Sequence, residues 1–221
     1  MGHELEPAFP AEGLVVHQPK RGFRYGSEAF WVVGAALAWR RPRAALDLGT
    51  GSGVMALLLA AHGVDAVGVD VRPEWSVAWS RSLRDSRSGL PIRFERADVR
   101  DVTAQVDLVV CNPPYFPAAS GPQSADPWKA AARTESTATL RDFAATATRC
   151  LTPDGLAVFV IPQEREQELM QHMMLERIVL IGRRLLLAFA RPHPHERCRR
   201  DAWAQDDAQL QAWTALARAV H

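Results

Sequence analysis

The chain has 221 residues and a formal net charge of only +1, a length that suits one large α/β domain and excludes that domain plus a full second one. The near-neutral charge excludes a globally basic surface, so any contact with nucleic acid must come from a local patch. Three widely spaced cysteines without a C-x-x-C pair indicate neither a disulfide framework nor a zinc site. No apolar run approaches the roughly 18 residues of a membrane helix. We therefore expect a cytoplasmic protein with no metal and no membrane segment.

The first part of the chain is an irregular lead-in that contains one short strand near residues 14–17. A loop at residues 18–26 follows, with two glycines and three cations, and Ser27 is placed to cap an apolar helix that runs to about Trp39. Aromatic residues alternate with glycines in the loop. This pattern favours a clamp over a bound ligand, and a solvated basic loop is the alternative.

A glycine-rich turn joins the first buried strand to a helix. The strand is Ala44–Leu48, the turn is Gly49-Thr50-Gly51-Ser52-Gly53, and the apolar helix is Val54–Ala61. Strand, turn and helix N-terminus together form a nucleotide-type site. The spacing is G-x-G-x-G with Asp47 two residues before the first glycine, which resembles the S-adenosylmethionine (SAM) motif of class I methyltransferases.

Acidic residues follow the next two predicted strands. The strand 64–70 ends in Asp70, where a carboxylate can accept both hydroxyls of a ribose. A helix from Pro73 to about residue 87 leads to a third strand at 92–94, and Asp98 follows it. Asp98 is placed to accept a hydrogen bond from an adenine amino group, and a surface aspartate in a turn is the alternative.

The most informative stretch is Asn112-Pro113-Pro114-Tyr115, directly after the buried strand Val106–Cys111. The strand delivers Asn112 to its carboxyl end. The two prolines fix φ and lack N–H donors, so they leave carbonyl acceptors in a rigid arm. An amide, a carbonyl and an aromatic ring together suit a planar group that carries an NH2, such as a nucleobase. An ordinary proline-stiffened turn is the alternative.

The remaining elements complete an alternating α/β pattern. A segment at 118–137 lacks a core of its own. The further predictions are a helix at 140–151, a strand at 156–161, a helix at 163–174 with three core methionines, strands at 177–181 and 184–190 around a two-residue turn, a basic RNA-facing stretch from residue 191, and a closing helix at 209–220.

Taken together, these motifs resemble the SAM-dependent methyltransferases that modify exocyclic amines through an N-P-P-Y motif. More narrowly, the stretches at 18–29, 112–116 and 132–135 are similar to the bacterial valine-tRNA adenine N6-methyltransferases, which act at position 37. The likeness covers roughly residues 14–190. Glu28 departs from the aspartate that is usual in that family.

The resemblance implies a Rossmann-like class I methyltransferase fold, a doubly wound and mostly parallel seven-stranded sheet with an antiparallel C-terminal hairpin. It divides the chain into a cofactor-covering lead-in at 1–43, a catalytic core at 44–190 and a basic extension at 191–221. It also implies SAM as cofactor, S-adenosylhomocysteine as product, tRNA as partner and a monomer.

The resemblance also assigns roles to individual residues. The residues that would bind SAM are Lys20, Arg21, Gly22, Phe23, Arg24, Tyr25, Asp47, Gly49, Thr50, Gly51, Gly53, Asp70, Val71, Asp98, Val99 and Asn112. The catalytic residues, which would hold the target amine and stack on its base, are Asn112, Pro113, Pro114 and Tyr115. The residues that would contact tRNA are Phe116, Lys129, Arg133, Arg197, Arg199 and Arg200.

Four other functions share some of these features. A protein glutamine N5-methyltransferase would use the same pocket for an amide NH2, but such enzymes usually carry a helical domain before the SAM motif. A ribosomal-RNA guanine N2-methyltransferase is a second alternative, and a DNA adenine methyltransferase, which would need a target-recognition domain, is a third. The fourth is a SAM-binding RNA module without catalysis, which the intact Asn112–Tyr115 motif disfavours.

Overall fold

The structure is a computed structural model that describes residues 4–22, 24–39, 41–115, 137–192, 198–203 and 207–220. The strands are β1 Leu5–Ala8, β2 Val16–Pro19, β3 Ala44–Leu48, β4 Asp65–Asp70, β5 Ile92–Arg96, β6 Val106–Cys111, β7 Leu151–Pro162, β8 Leu175–Ile181, β9 Leu185–Ala190 and β10 Arg199–Trp203. The helices are α1 Ser27–Trp39, α2 Val54–Ala61, α3 Trp75–Asp85, α4 Leu140–Cys150, α5 Glu166–Met170 and α6 Ala208–Arg218, with short 3-10 turns at Val99–Asp101 and Gln163–Arg165.

Eight strands form one central sheet in the order β10-β8-β9-β7-β6-β3-β4-β5, and β1 pairs with β2 in a separate ribbon. Within the described strands of the large sheet, β9 alone runs antiparallel to its neighbours. The predicted Rossmann-like fold with an antiparallel hairpin is therefore confirmed. The sheet has eight strands where seven were expected. The additional strand is β10, which pairs with β8 and belongs to the stretch that was predicted to be a basic extension.

Helices cover both faces of the sheet, as parallel strands require. One apolar core contains the buried faces of α1, α2 and α6, and the other contains α4. Successive side chains of β3 point to opposite faces of the sheet. Ala45 therefore lies in the first core, and Leu46 and Leu48 lie in the second. The same alternation directs Asp47 towards α2.

Three local predictions for the C-terminal half were wrong. The helix expected at 163–174 is reduced to a 3-10 turn and the five residues of α5, and of its three methionines only Met173 is buried while Met170 and Met174 are exposed. The turn between β8 and β9 has three residues, because Ile181 pairs with Leu185. The turn expected at 153–155 lies inside β7, at an irregularity in its pairing with β6.

The sheet brings the predicted motifs to one edge. Strands β3, β4, β5 and β6 run parallel, so the segments that follow them emerge on the same side. The glycine turn, Asp70, Asp98 and Asn112 all lie at or just beyond these carboxyl ends. Separately, none of the helices in the described ranges has the length and apolar character needed to cross a membrane.

Gly34 provides a test of how α1 packs against α6. A Cβ atom added to Gly34 would lie 2.0 Å from the carbonyl oxygen of Trp213, and backbone cannot move aside as a flexible side chain can. A helical Gly→Ala change ordinarily stabilises a protein by about 1 kcal/mol. We expect Gly34→Ala instead to lower the free energy of unfolding by about 1–3 kcal/mol, measured by urea denaturation.

The control is Ala38→Ser on an exposed position of the same helix, which should change stability by less than about 0.5 kcal/mol. A Gly34→Ala protein as stable as the parent would contradict the close approach of the two helices.

Candidate functional site

A cavity of about 310 Å³ lies at the carboxyl edge of β3, β4 and β6. It runs from the glycine turn to the Asn112 motif, so the two predicted halves of the site share one space. The described residues that line it are Tyr25, Ala29, Gly49, Thr50, Gly51, Ser52, Val54, Met55, Asp70, Val71, Arg72, Glu74, Asp98, Val99, Asn112, Pro114, Thr137, Ala138 and Phe143.

The turn after β3 depends on its glycines. Gly49, Gly51 and Gly53 have φ angles of 71°, 54° and 84°, which L side chains rarely adopt. Space is restricted as well, because a Cβ on Gly53 would lie 2.5 Å from the Phe94 ring. Of the three, Gly49 and Gly51 line the cavity, while Gly53 caps the N-terminus of α2. The turn therefore presents backbone to the cavity at close range.

Asp70 is a buried carboxylate at the end of β4 that lines the cavity. One oxygen accepts from the Gly51 N–H at 3.1 Å. The other accepts from the backbone N–H of Arg72 at 3.0 Å and from its Nε at 3.3 Å. A carboxylate has about four acceptor positions and three are used, so Asp70 keeps about one for a hydroxyl group of a ligand. Its role as a ribose ligand stays a prediction.

Asp47 lies behind the turn and is not among the described residues that line the cavity. Its Oδ2 accepts from the Thr50 hydroxyl at 2.6 Å and from the Ala56 N–H at 3.2 Å, and Oδ1 has no hydrogen-bond partner among the described residues. Burial raises the pKa of Asp47 to about 7, and the nearby Asp70 adds to the rise. The structure thus makes Asp47 a brace between the turn and α2, in place of the expected direct ligand.

Asp98 lines the cavity beyond β5 and is held by Arg100. The carboxylate accepts from Nε of Arg100 at 2.9 Å and from Nη2 at 2.5 Å, and it caps the following 3-10 turn through the Arg100 N–H. These hydrogen bonds lower the pKa of Asp98. Asp98 is therefore an ionised acceptor at the cavity wall, next to Val99.

The Asn112 motif contributes to the wall of the cavity beside the glycine turn. Asn112 and Pro114 line the cavity, whereas Pro113 is buried beneath and Tyr115 is half-buried beside it. The Pro114 carbonyl accepts a hydrogen bond of 2.9 Å from Nη1 of Arg165. The motif is therefore anchored by the turn that follows the neighbouring strand β7.

The N-terminal loop contributes one residue to the described lining, Tyr25. Burial raises the pKa of its phenol, and its ring meets Phe30 edge-on, with 6.1 Å between the ring centroids. Lys20 and Arg24 pair instead with Glu4 and Glu6 of the N-terminal ribbon. Arg21 and Gly22 are likewise outside the described lining, so the expected clamp reaches the cavity through Tyr25.

The residues expected to contact tRNA are only partly described. Phe116, Lys129, Arg133 and Arg197, and the clamp residue Phe23, lie outside the described residues. Arg199 and Arg200 lie on β10, at the opposite edge of the sheet from β5. Arg199 pairs with Asp201, and Arg200 pairs with Glu166. Carboxylates therefore offset both charges.

Several lining residues were missed by reasoning from sequence. Arg72 and Glu74 follow Asp70 closely, and their position after an acidic strand end could have indicated them. Thr137, Ala138 and Phe143 had no such signal, because they reach the cavity only when α4 packs against the sheet. Arg165 had none either, since it contacts the motif from 51 positions further along the chain.

Comparisons with known proteins agree with this geometry. A family model described as "Methyltransferase domain" matches residues 45–135. A relative from Aeromonas salmonicida, a tRNA1(Val) (adenine(37)-N6)-methyltransferase, is 33% identical over 149 residues, which are 63% of this chain and 60% of the relative. The chain spans between 51% and 60% of the lengths of the first curated relatives that it matches. The resemblance predicted from sequence is confirmed.

Solved structures share the fold at low sequence identity. A predicted O-methyltransferase from Agrobacterium tumefaciens has a TM-score of 0.60 at 16% identity, over 87% of this chain and 97% of that chain. A Thermus thermophilus 16S rRNA N2 G1207 methyltransferase, solved with AdoMet and guanosine, has a TM-score of 0.60 at 19% identity, over 86% of this chain and 50% of that chain. The fold is thus that of the class I SAM-dependent methyltransferases.

The raised pKa of Asp47 predicts a pH dependence of stability. The folded protein retains a proton on Asp47 up to about pH 7, whereas an ordinary aspartate has a pKa of 3.8. The folded state binds more protons in this window, so the contribution is full below about pH 4 and is lost as the pH rises to 7. Asp47→Asn cannot ionise and keeps an oxygen for Thr50 and Ala56. The free energy of unfolding of Asp47→Asn, measured relative to the parent by urea denaturation, should be higher at pH 8 than at pH 4 by on the order of 2–4 kcal/mol.

Asp85 offers a control of opposite sign. Hydrogen bonds from Arg84 and His17 lower the pKa of Asp85 to about 2, so its contribution is present above pH 4 and is lost as the pH falls towards 2. Asp85→Asn should therefore be less stable than the parent at neutral pH, and its stability should change less than that of the parent as the pH falls from 4 towards 2. Parallel pH profiles for the parent and Asp47→Asn would contradict the assignment of a protonated Asp47.

Proposed function

We propose that this protein is a SAM-dependent methyltransferase that transfers a methyl group to the exocyclic N6 of an adenine in tRNA, at position 37 beside the anticodon. The single observation that carries the proposal is the continuous cavity between the glycine turn and Asn112. The names of its curated relatives support the choice of tRNA adenine. The proposed enzyme is cytoplasmic, where tRNA is modified.

The residues of the cavity fit SAM. Gly49 and Gly51 allow the backbone to approach the methionine end of the cofactor. Asp70 has about one acceptor position left for a ribose hydroxyl, and Asp98 is an ionised acceptor near the proposed place of the adenine amino group. The bound cofactor would supply an electrophilic methyl group on a sulfonium.

Asn112 would position the target amine. Its side-chain oxygen accepts a hydrogen bond from the NH2, and the Pro113 carbonyl is the second proposed acceptor. Two acceptors bias the nitrogen towards tetrahedral geometry and direct its lone pair into the cavity, which is catalysis by orientation. No strong base is needed, because methylation makes the nitrogen cationic and acidic, and the proton then leaves to water. Tyr115 would stack on the extruded base.

Six residues are proposed to contact tRNA. Phe116 follows the motif in sequence, and Lys129, Arg133, Arg197, Arg199 and Arg200 are the proposed phosphate ligands, the last two on β10. An anticodon-loop base is only partly stacked, so its extrusion costs less than in a duplex.

The decisive test of chemistry is Asn112→Ala. Loss of the acceptor removes orientation in the transition state, so transfer of labelled methyl from SAM to bulk tRNA should fall at least about 100-fold. The dissociation constant for SAM, measured by calorimetry, should stay within threefold or so of the parent. The matched control is Gln105→Ala, a carboxamide just before the opposite end of β6, which should leave transfer unchanged.

Full transfer by Asn112→Ala would overturn the role of the motif. Label in release factor instead of tRNA would favour a glutamine N5-methyltransferase, and label in ribosomal RNA would favour the guanine N2 alternative. Mass spectrometry of tRNA nucleosides from cells without the protein identifies base and atom together. The proposal requires loss of N6-methyladenosine.

Asp70→Asn tests the cofactor site. The amide keeps one acceptor oxygen but places an NH2 where the other oxygen accepted, so one ribose hydroxyl loses its partner. At about 1–3 kcal/mol for such a loss, SAM should bind roughly 10-fold to 100-fold more weakly by calorimetry. Asp65→Asn is the control, an exposed aspartate at the start of β4, and it should bind SAM like the parent. Equal affinities for the two variants would exclude Asp70 from the site.

A further inference from the structure

The cavity wall is supported by a buried cation that the sequence did not identify. Arg165 follows β7 in the 3-10 turn Gln163–Arg165, and its side chain is 4% exposed. We propose that Arg165 is a positioning residue for the Asn112–Tyr115 motif, holding the motif in the orientation that methyl transfer needs. This inference deepens the proposed function and rests on it.

The guanidinium is held at both ends. Its Nη1 donates to the Pro114 carbonyl at 2.9 Å. Its Nε and Nη2 donate to the two oxygens of Glu168 at 2.9 Å and 2.7 Å. A two-pronged pair of this kind fixes the plane of the guanidinium, so the remaining donor has a defined direction. Glu168 therefore orients Arg165, and Arg165 orients the Pro114 carbonyl.

The motif needs such an anchor because its two central residues lack backbone donors. Pro113 and Pro114 have no N–H, so this part of the chain can be held through hydrogen bonds only by its carbonyl groups. A charge-assisted hydrogen bond to a carbonyl is roughly twice as strong as a neutral one. Arg165 thus supplies a firm hydrogen bond at Pro114, directly before the last residue of the motif, Tyr115.

The contact also divides the acceptors of the motif. The Pro114 carbonyl accepts from Arg165 and is therefore not the acceptor that we assign to the target amine. The Asn112 oxygen and the Pro113 carbonyl then remain for the two hydrogens of the amine. A shift of about 1 Å at this point is enough to cost on the order of 100-fold in rate.

The Arg165–Glu168 ion pair is weak support for a purely structural role, because the Glu168 side chain is 36% exposed and solvent-exposed ion pairs add little to stability. The position of Arg165 is better accounted for by what it holds. Its Nη1 donates to a backbone carbonyl of the motif that faces the cavity.

The test compares Arg165→Met and Arg165→Lys with a matched control, Arg177→Met. Arg177 also lies partly buried in an ion pair, with its Nε 2.8 Å from Asp201, but β8 carries it away from the motif. Arg165→Met should lower kcat for tRNA methylation between about 10-fold and 100-fold, with the dissociation constant for SAM unchanged. Arg165→Lys keeps one donor and should recover part of the rate. Arg177→Met should keep the kcat of the parent.

A double-mutant cycle with Glu168→Gln separates orientation from charge. If Glu168 acts through Arg165, the double variant Arg165→Met/Glu168→Gln should be no slower than Arg165→Met alone. Hydrogen–deuterium exchange of peptides that contain Asn112 and Tyr115 adds a readout that needs no activity. Exchange there should rise in Arg165→Met and stay unchanged in Arg177→Met.

The outcomes distinguish this inference from the proposed function. If the parent protein methylates an acceptor other than tRNA, the tRNA assignment is wrong. The positioning role is then tested with that acceptor, as the ratio of the kcat of Arg165→Met to the kcat of the parent. A lower melting temperature with unchanged kcat and unchanged exchange in the motif would overturn the positioning role. So would an equal loss of rate in Arg177→Met.

Discussion

The site depends on the register between two parallel strands. Leu48 of β3 pairs with Cys111 of β6, so the residues that follow them, Gly49 and Asn112, leave the sheet side by side. A register shift of one residue would turn each side chain to the other face of the sheet and separate the glycine turn from the motif. The apolar residues of both strands are buried in the two cores. Hydrophobic burial therefore fixes the spacing on which the cavity depends.

Two carboxylates near the cavity have opposite roles because of where the strands place them. Asp47 points from the middle of β3 into the space under α2, where burial favours its neutral form and it braces the turn through Thr50 and Ala56. Asp70 stands at the end of β4, where it lines the cavity and accepts hydrogen bonds from two backbone N–H groups and the Arg72 guanidinium. The same residue type is thus a structural brace at one position and a ligand-facing acceptor at the other.

The parts of this molecule that sequence could predict are those with local signals. The bounds of β6 and α2 agree with the expected Val106–Cys111 and Val54–Ala61, because uninterrupted apolar runs end at glycines or prolines. The G-x-G-x-G turn and Asp70 were recognisable because each lies at the end of such an apolar strand. What failed was set by tertiary contacts. Asp47 resembled a ligand by its spacing, but the alternation of β3 turns it away from the cavity. The edge strand β10 has a charged sequence, and it forms only because β8 offers a partner.

The charge distribution indicates how such a protein would select its substrate. Arginines near the site are paired, Arg72 with Asp70, Arg100 with Asp98 and Arg165 with Glu168, and the whole chain carries a net charge of +1. Binding driven by many phosphate contacts weakens steeply with salt and carries little sequence information. A nearly neutral protein gains less from such contacts, so in the proposed reaction a larger share of the discrimination has to come from the pocket that is proposed to receive the base. The Asn112–Tyr115 motif would then have to be rigid. Its two prolines and the hydrogen bond from Arg165 restrict its movement.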